Sequence, residues 1–162
     1  MTDLVPGANS FSMPQSLSKL YIHLVFSTKG RERILSRSIQ GPLHAYLGGI
    51  LRNHNCDPVE INTEPDHAHI LLVLARTEAL SDLVAKLKQG STLWLREQHP
   101  LLRTFHWQSG YGAFSVSQST VPDVVAYIRN QQEHHRDKSF QDEFRAMLKK
   151  YEIEWDEKYV WD

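Results

Sequence analysis

Two histidines one residue apart, His67 and His69, open the apolar run Ile70-Leu71-Leu72-Val73. In an extended run successive side chains alternate between faces, so both imidazoles leave the same side of a sheet, close enough to share one cation. Nine histidines in 162 residues make such a pair expected about 0.5 times by chance, so it gains meaning only with a second element. Tyr127, Gln131 and His134 are spaced by four and then three residues. On a helix these three form one stripe beside the apolar face of Val121, Val124, Val125 and Ile128, and polar groups at such an edge point into a cleft between helix and sheet. Taken singly, a tyrosine there is ordinarily a rim residue of the core, and the glutamine and histidine are ordinarily solvated.

The elements that must position these groups follow from the apolar pattern. Leu20 to Thr28 is β-branched and aromatic and reads as a buried strand, closed by Lys29-Gly30. Ser38 to about His54 has Ile39, Leu43, Leu47, Ile50 and Leu51 at helical spacing, with Pro42 expected in the first turn. Cys56 to Thr63 and His67 to Leu74 form a hairpin around Pro65, and Ser81 is expected to cap a helix that ends before Pro100. Ala113 to Ser117 reads as a further strand. Thr120-Val121-Pro122-Asp123 has the spacing of a capping box opening a helix to His134, and Ser139 opens a last helix to about Tyr151. The acidic, aromatic residues 152–162 are expected to pack as an extended arm. The order is βαββαβ, the α+β arrangement of a ferredoxin-like (RRM-like) antiparallel sheet with additional C-terminal helices. Helices on one face would leave the other face free for a partner.

Composition sets outer bounds. Residues 1–18 are rich in Pro, Gly, Ser and Asn and read as a flexible lead, leaving residues 19–162 as one domain. The lead has no basic stretch followed by an apolar one, and apolar runs fall far short of a membrane span, so a soluble cytoplasmic protein without membrane association is expected. A single cysteine, Cys56, excludes an internal disulfide and cysteine-rich zinc sites. The net charge of −1 advertises no nucleic-acid binder, but its distribution is uneven: −3 from Ser139 onward and +2 before it. Lys29, Arg31, Arg33 and Arg37 cluster with only Glu32 opposing them. A run of this kind is usually a solvated face.

The combination goes further than its parts. Pro65-Asp66-His67-Ala68-His69-Ile70-Leu71-Leu72, the segment from Trp107 to Val116, the segment from Tyr127 to His135 and the opening His23-Leu24-Val25-Phe26-Ser27-Thr28-Lys29 together resemble the single-tyrosine HUH transposases of bacterial insertion sequences, including the REP-associated tyrosine transposase branch. Ala68 departs from the bulky apolar residue between the family's histidines, but it points to the opposite face. The resemblance implies that His67 and His69, with Gln131 as third ligand, bind Mg²⁺ or Mn²⁺, and that Tyr127 is the nucleophile. It implies cleavage of single-stranded DNA at hairpins through a 5′-phosphotyrosine, by a homodimer in which one subunit's tyrosine helix can serve the other's metal site, in a bacterial or archaeal nucleoid.

The chemistry is coherent: a cation polarises the non-bridging oxygens and stabilises the leaving oxygen while an aryl hydroxyl attacks. A tyrosine with an ordinary pKa near ~10 needs positive charge or a proton acceptor beside it, and His134 is the candidate by proximity. Lys29, Arg31, Arg33 and Arg37 would hold DNA backbone, and Trp107 and Tyr111 would stack unpaired bases. Two alternatives stay open: a catalytically silent DNA- or RNA-hairpin-binding module, and a metal-dependent hydrolase, since such ligands also suit zinc.

Overall fold

Alternation along the first strand sends Leu24 and Phe26 to one side of the sheet and His23, Val25 and Ser27 to the other, and the whole chain is arranged around that division. The computed structural model describes residues 14–135 and 137–162, the side chain of His134 excepted, so most of the expected flexible lead lies outside the described residues. Four strands, β1 (Tyr21–Ser27), β2 (Asp57–Glu64), β3 (His67–Val73) and β4 (Gly112–Val116), pair antiparallel in the order β2-β3-β1-β4. Helices α1 (Arg37–Asn53) and α2 (Leu80–Gln98) make the two crossovers, which completes the expected βαββαβ arrangement. Among the described residues no helix is long and apolar enough to cross a membrane.

The first face is mainly hydrocarbon. Leu24, Phe26, Ala68, Ile70 and Leu72 meet Leu43, Leu47 and Leu51 of α1 and Leu83, Leu87 and Leu95 of α2, all fully buried. Burying each leucine contributes about 1.5–3 kcal/mol, so this layer carries much of the stability.

The second face differs from expectation. It is not left for a partner but is covered by three further helices, α3 (Val121–Arg129), α4 (Gln131–His134) and α5 (Phe140–Lys150). Ile128 of α3 packs with Leu71 and Val116, and Phe140, Phe144 and Leu148 of α5 pack with Val25 and Phe114. Those three α5 residues recur every four positions, the spacing that lines one helical face. Gly112 makes their approach possible, because a Cβ there would lie 2.5 Å from Phe144 Cε2.

Local details also depart from the sequence reading. The single helix expected from Thr120 to His134 divides at Asn130, whose backbone (φ −94°, ψ 21°) leaves the helical region. Thr120 caps nothing, and its hydroxyl bonds to the Ser117 carbonyl instead. Ser81 lies inside α2, which begins at Leu80 after Ala79, and Pro42 sits in the second turn of α1. Ser139 does cap α5, its hydroxyl accepting from the Asp142 N–H at 3.2 Å. The tail is not an extended arm: turns at 156–162 fold it back, so that the Asp162 carbonyl accepts from the Gly110 N–H.

Candidate active site

Strand register decides which polar side chains meet beneath the second layer. His67 lies opposite Ser27 and His69 opposite Val25, so the two imidazoles enter the same face together with His23, as strand alternation requires. His67, His69 and Gln131 are wholly buried and His23 nearly so. Buried polar groups need partners, and every one among the described residues has one.

His67 has acceptors on both ring nitrogens: Asp66 Oδ1 lies 2.7 Å from Nδ1, and Gln131 Oε1 and Glu143 Oε1 lie 3.2 Å and 3.7 Å from Nε2. The His67 hydrogen bond holds the Asp66 carboxyl below its ordinary range against the opposing effect of burial. A carboxylate behind an imidazole is the arrangement that orients a metal-ligating histidine. His69 accepts at Nδ1 from His23 Nε2 at 2.8 Å and donates from Nε2 to Glu143 Oε1 at 2.9 Å, an assignment made by the network. Burial, with His69 beside it, pushes His23 down to about 3, and burial also lowers His69, so both rings are neutral.

Glu143 is the hub of the cluster. Burial opposes its charge, yet hydrogen bonds from His135 and His69 outweigh that and hold the carboxyl far below the usual range. Its second oxygen accepts from the Tyr127 hydroxyl at 2.5 Å and lies 3.2 Å from His135 Nε2. His135 directs Nδ1 to the Lys138 carbonyl and Nε2 to Glu143 and Gln131, so acceptors face both nitrogens; burial works against its charge, but Glu143 raises it above its ordinary value. Burial and then the charge of Glu143 push the Tyr127 hydroxyl above its usual range, so Tyr127 is a neutral donor in this arrangement.

The acceptors converge as a cation would require. Donor atoms of His67, His69, His135 and Glu143 all lie within 4.8 Å of one another, and Gln131 Oε1 adjoins them. The donor set of imidazoles, an amide oxygen and a carboxylate suits a divalent ion of the Mg²⁺, Mn²⁺ or Zn²⁺ kind.

Strand and helix therefore meet: His67, His69, Tyr127 and Gln131 come together within one chain. The side chain of His134 lies outside the described residues. Sequence reasoning assigned no role to four further members. His23 and Asp66 flank or lie opposite the histidine strand, His135 adjoins the helical stripe, and Glu143 sits on α5, three residues after Phe140 on its packed face. Polar residues at buried positions of apolar patterns were the available signal.

The basic and aromatic candidates separate. Lys29, Arg33 and Arg37 are exposed, while Arg31 is half-buried with its guanidinium 5.6 Å from the Trp161 ring centre. Arg145 of α5 faces the same indole at 5.0 Å. Arg33 and Arg37 line a cleft of about 660 Å³ with Arg129, Gln132 and His135, at the edge of the histidine cluster. Tyr111 is 37% exposed, with the Lys88 ammonium 5.7 Å from its ring centre. Trp107, expected to stack a base, is instead a core residue: its ring edges pack on Phe26 and Phe105, and its indole N–H donates to Ser91.

The sequence model of the family "Transposase IS200 like" matches residues 16–131. The ISDra2 transposase TnpA of Deinococcus radiodurans is 26% identical over 118 residues, which are 70% of this chain and 84% of that protein. A crystal structure of a candidate transposase from Deinococcus radiodurans R1 aligns with a TM-score of 0.58 at 25% identity, covering 79% of this chain and 98% of that one. A REP-associated tyrosine transposase bound to a REP hairpin aligns with a TM-score of 0.56 at 16% identity, covering 76% and 73%, and shares the fold.

Proposed function

Because this chain belongs to the family of IS200-like transposases, which are DNA-cleaving enzymes of insertion sequences, we propose that it cuts and rejoins single-stranded DNA through a covalent link to Tyr127. The observation that carries this reading is the meeting of the Tyr127 hydroxyl, from a helix, with the carboxylate that contacts His69, from a strand. The phenolic oxygen bonds to phosphorus while the bond from phosphorus to the 3′ oxygen breaks. The phenolic proton departs and the 3′ oxygen gains one, so a 5′ phosphate stays on the protein and a 3′ hydroxyl is released. Attack of a 3′ hydroxyl on the phosphotyrosine reverses these changes and rejoins DNA without a nucleotide cofactor.

His67, His69 and Gln131 would hold Mg²⁺ or Mn²⁺, which when bound supplies charge to the non-bridging oxygens. Asp66 and His23 fix the orientation of the two imidazoles, and Glu143 aims the Tyr127 hydroxyl. Lys29, Arg31, Arg33 and Arg37 would grip the backbone of a DNA hairpin, with its single-stranded flank in the cleft beside His135 and a base on Tyr111; binding should therefore weaken with salt. A hairpin ligand is supported by the bound REP hairpin of the structural relative. In a homodimer each subunit would carry its own assembled cluster, and sedimentation velocity tests for that dimer.

The test is a DNA hairpin with a single-stranded flank, incubated with protein and Mn²⁺ and run in SDS. A protein–DNA adduct is expected, absent in Tyr127→Phe and His67→Ala. Cleavage by wild-type protein without an adduct would sink the tyrosine mechanism, and binding without cleavage in any metal would favour a silent hairpin binder. Indifference to DNA with tight zinc retention would favour a hydrolase.

A further inference from the structure

Glu143 lies beyond residues 16–131 matched by the family, on a helix to which neither the match nor the histidine and tyrosine motifs assign a role. It is nonetheless 3% exposed, and a carboxylate is seldom buried so fully without a purpose-built set of partners. Its placement is over-determined. Ser139 caps α5, Phe140 stacks on the His67 ring at 4.6 Å, and Phe144 fills the space above Gly112, so α5 has one height and one rotation over the strand.

The two carboxylate oxygens do different things. Oε1 faces the histidine pair, 2.9 Å from His69 Nε2 and 3.7 Å from His67 Nε2. Oε2 accepts from Tyr127 and lies near His135. Neighbouring ligands on an octahedral ion with bonds of ~2.1 Å stand about 3 Å apart, close to the Glu143–His69 separation, and the ligating form of His69 is the other tautomer, with Nδ1–H donating to His23 Nε2 and Nε2 free for the ion. The set His67, His69 and Gln131 contains no anion, whereas hard divalent cations favour carboxylate oxygen. From these distances we infer that Glu143 is the anionic ligand of the divalent cation held by His67 and His69, with Oε1 toward the ion and Oε2 on the Tyr127 hydroxyl. One carboxylate then fixes the spacing of cation and nucleophile. This inference rests on the proposed roles of the histidine pair and Tyr127.

Mn²⁺ binding to the full chain, followed by calorimetry and by the electron paramagnetic resonance of free Mn²⁺, tests it. Glu143→Gln should bind at least ~10-fold more weakly, a loss of about 1.4 kcal/mol, while Glu143→Asp keeps part of the affinity. Adduct formation by Glu143→Gln should recover as Mn²⁺ is raised, which a purely structural role would not give. A natively folded Glu143→Gln with wild-type Mn²⁺ affinity overturns the inference. Should that variant fail to fold, wild-type crystals soaked in Mn²⁺ decide: an anomalous peak within ~2.6 Å of Glu143 Oε1 supports it, and a peak on His67 and His69 more than ~3.5 Å from that oxygen overturns it. Wild-type protein that binds Mn²⁺ through Glu143 but forms no adduct would refute the transposase mechanism and leave this ligand standing. An adduct with Glu143-independent Mn²⁺ binding would do the reverse.

Discussion

The two faces of one sheet are built on opposite terms. On the side of α1 and α2, Leu24, Phe26, Ala68, Ile70 and Leu72 bury hydrocarbon against hydrocarbon. On the side of α3 to α5, His23, Ser27, His67 and His69 of the same strands share the face with Val25 and Leu71, and these polar residues are buried too but hydrogen-bonded. Strand alternation lets the two requirements be met without conflict, since each residue added to one face spaces the residues of the other. The apolar face tolerates approximate shape, whereas each polar group on the other face must find its partner or impose a penalty of about 1–3 kcal/mol.

Substitutions can break this division, beginning with the largest effect. Tyr127→Phe should abolish the SDS-resistant adduct while circular dichroism and melting stay close to wild type, because the proposed mechanism makes that hydroxyl oxygen the attacking atom. On the opposite face, Leu24→Ala should cost about 2–5 kcal/mol in denaturant unfolding, yet leave the adduct rate per folded molecule near wild type. A large loss of rate in that variant would show that the faces are not independent. Gly112→Ala probes the boundary between core and site: overpacking against Phe144 should cost about 1–3 kcal/mol, and it should slow the adduct because Glu143 rides on the displaced helix.

The smallest effect belongs to Lys88, whose ammonium donates to the carbonyls of Gln108, Ser109 and Gly110 while burial pushes its pKa down to about 8. Between that value and the ordinary 10.5 the unfolded chain binds the proton and the folded chain does not, so this group makes stability rise with pH across the window. Unfolding curves of wild type and Lys88→Met from pH 7.5 to 10.5 should show that rise in the wild type and its loss in the variant.

The same division explains what the sequence disclosed. Strand β1 was legible because its β-branched and aromatic run ends at Lys29-Gly30, β2 and β3 because Pro65 marks the turn between them, and the βαββαβ order drew on them. The meeting of strand and tyrosine helix came from the resemblance and not from periodicity. Three features stayed hidden for physical reasons. The helix break at Asn130 has no proline or glycine to announce it. Glu143 sits in a charged helix where a glutamate ordinarily faces water, and only the four-residue spacing of Phe140, Phe144 and Leu148 hints that its face is packed. Trp107 was open to either reading, base stacking or core packing, because an aromatic outside a periodic run carries no mark of burial, and its partner Ser91 lies on α2.

Trp161 closes a circuit between the two ends of the chemistry. Its indole lies between Arg31 of the basic loop and Arg145 of α5, the helix that carries Glu143. A phosphate that drew Arg31 away would remove one of the two cations beside that ring. Trp161 is thus placed as an optical gauge of the linkage: its emission should shift when DNA reaches the loop, and the shift should vanish in Arg31→Ala.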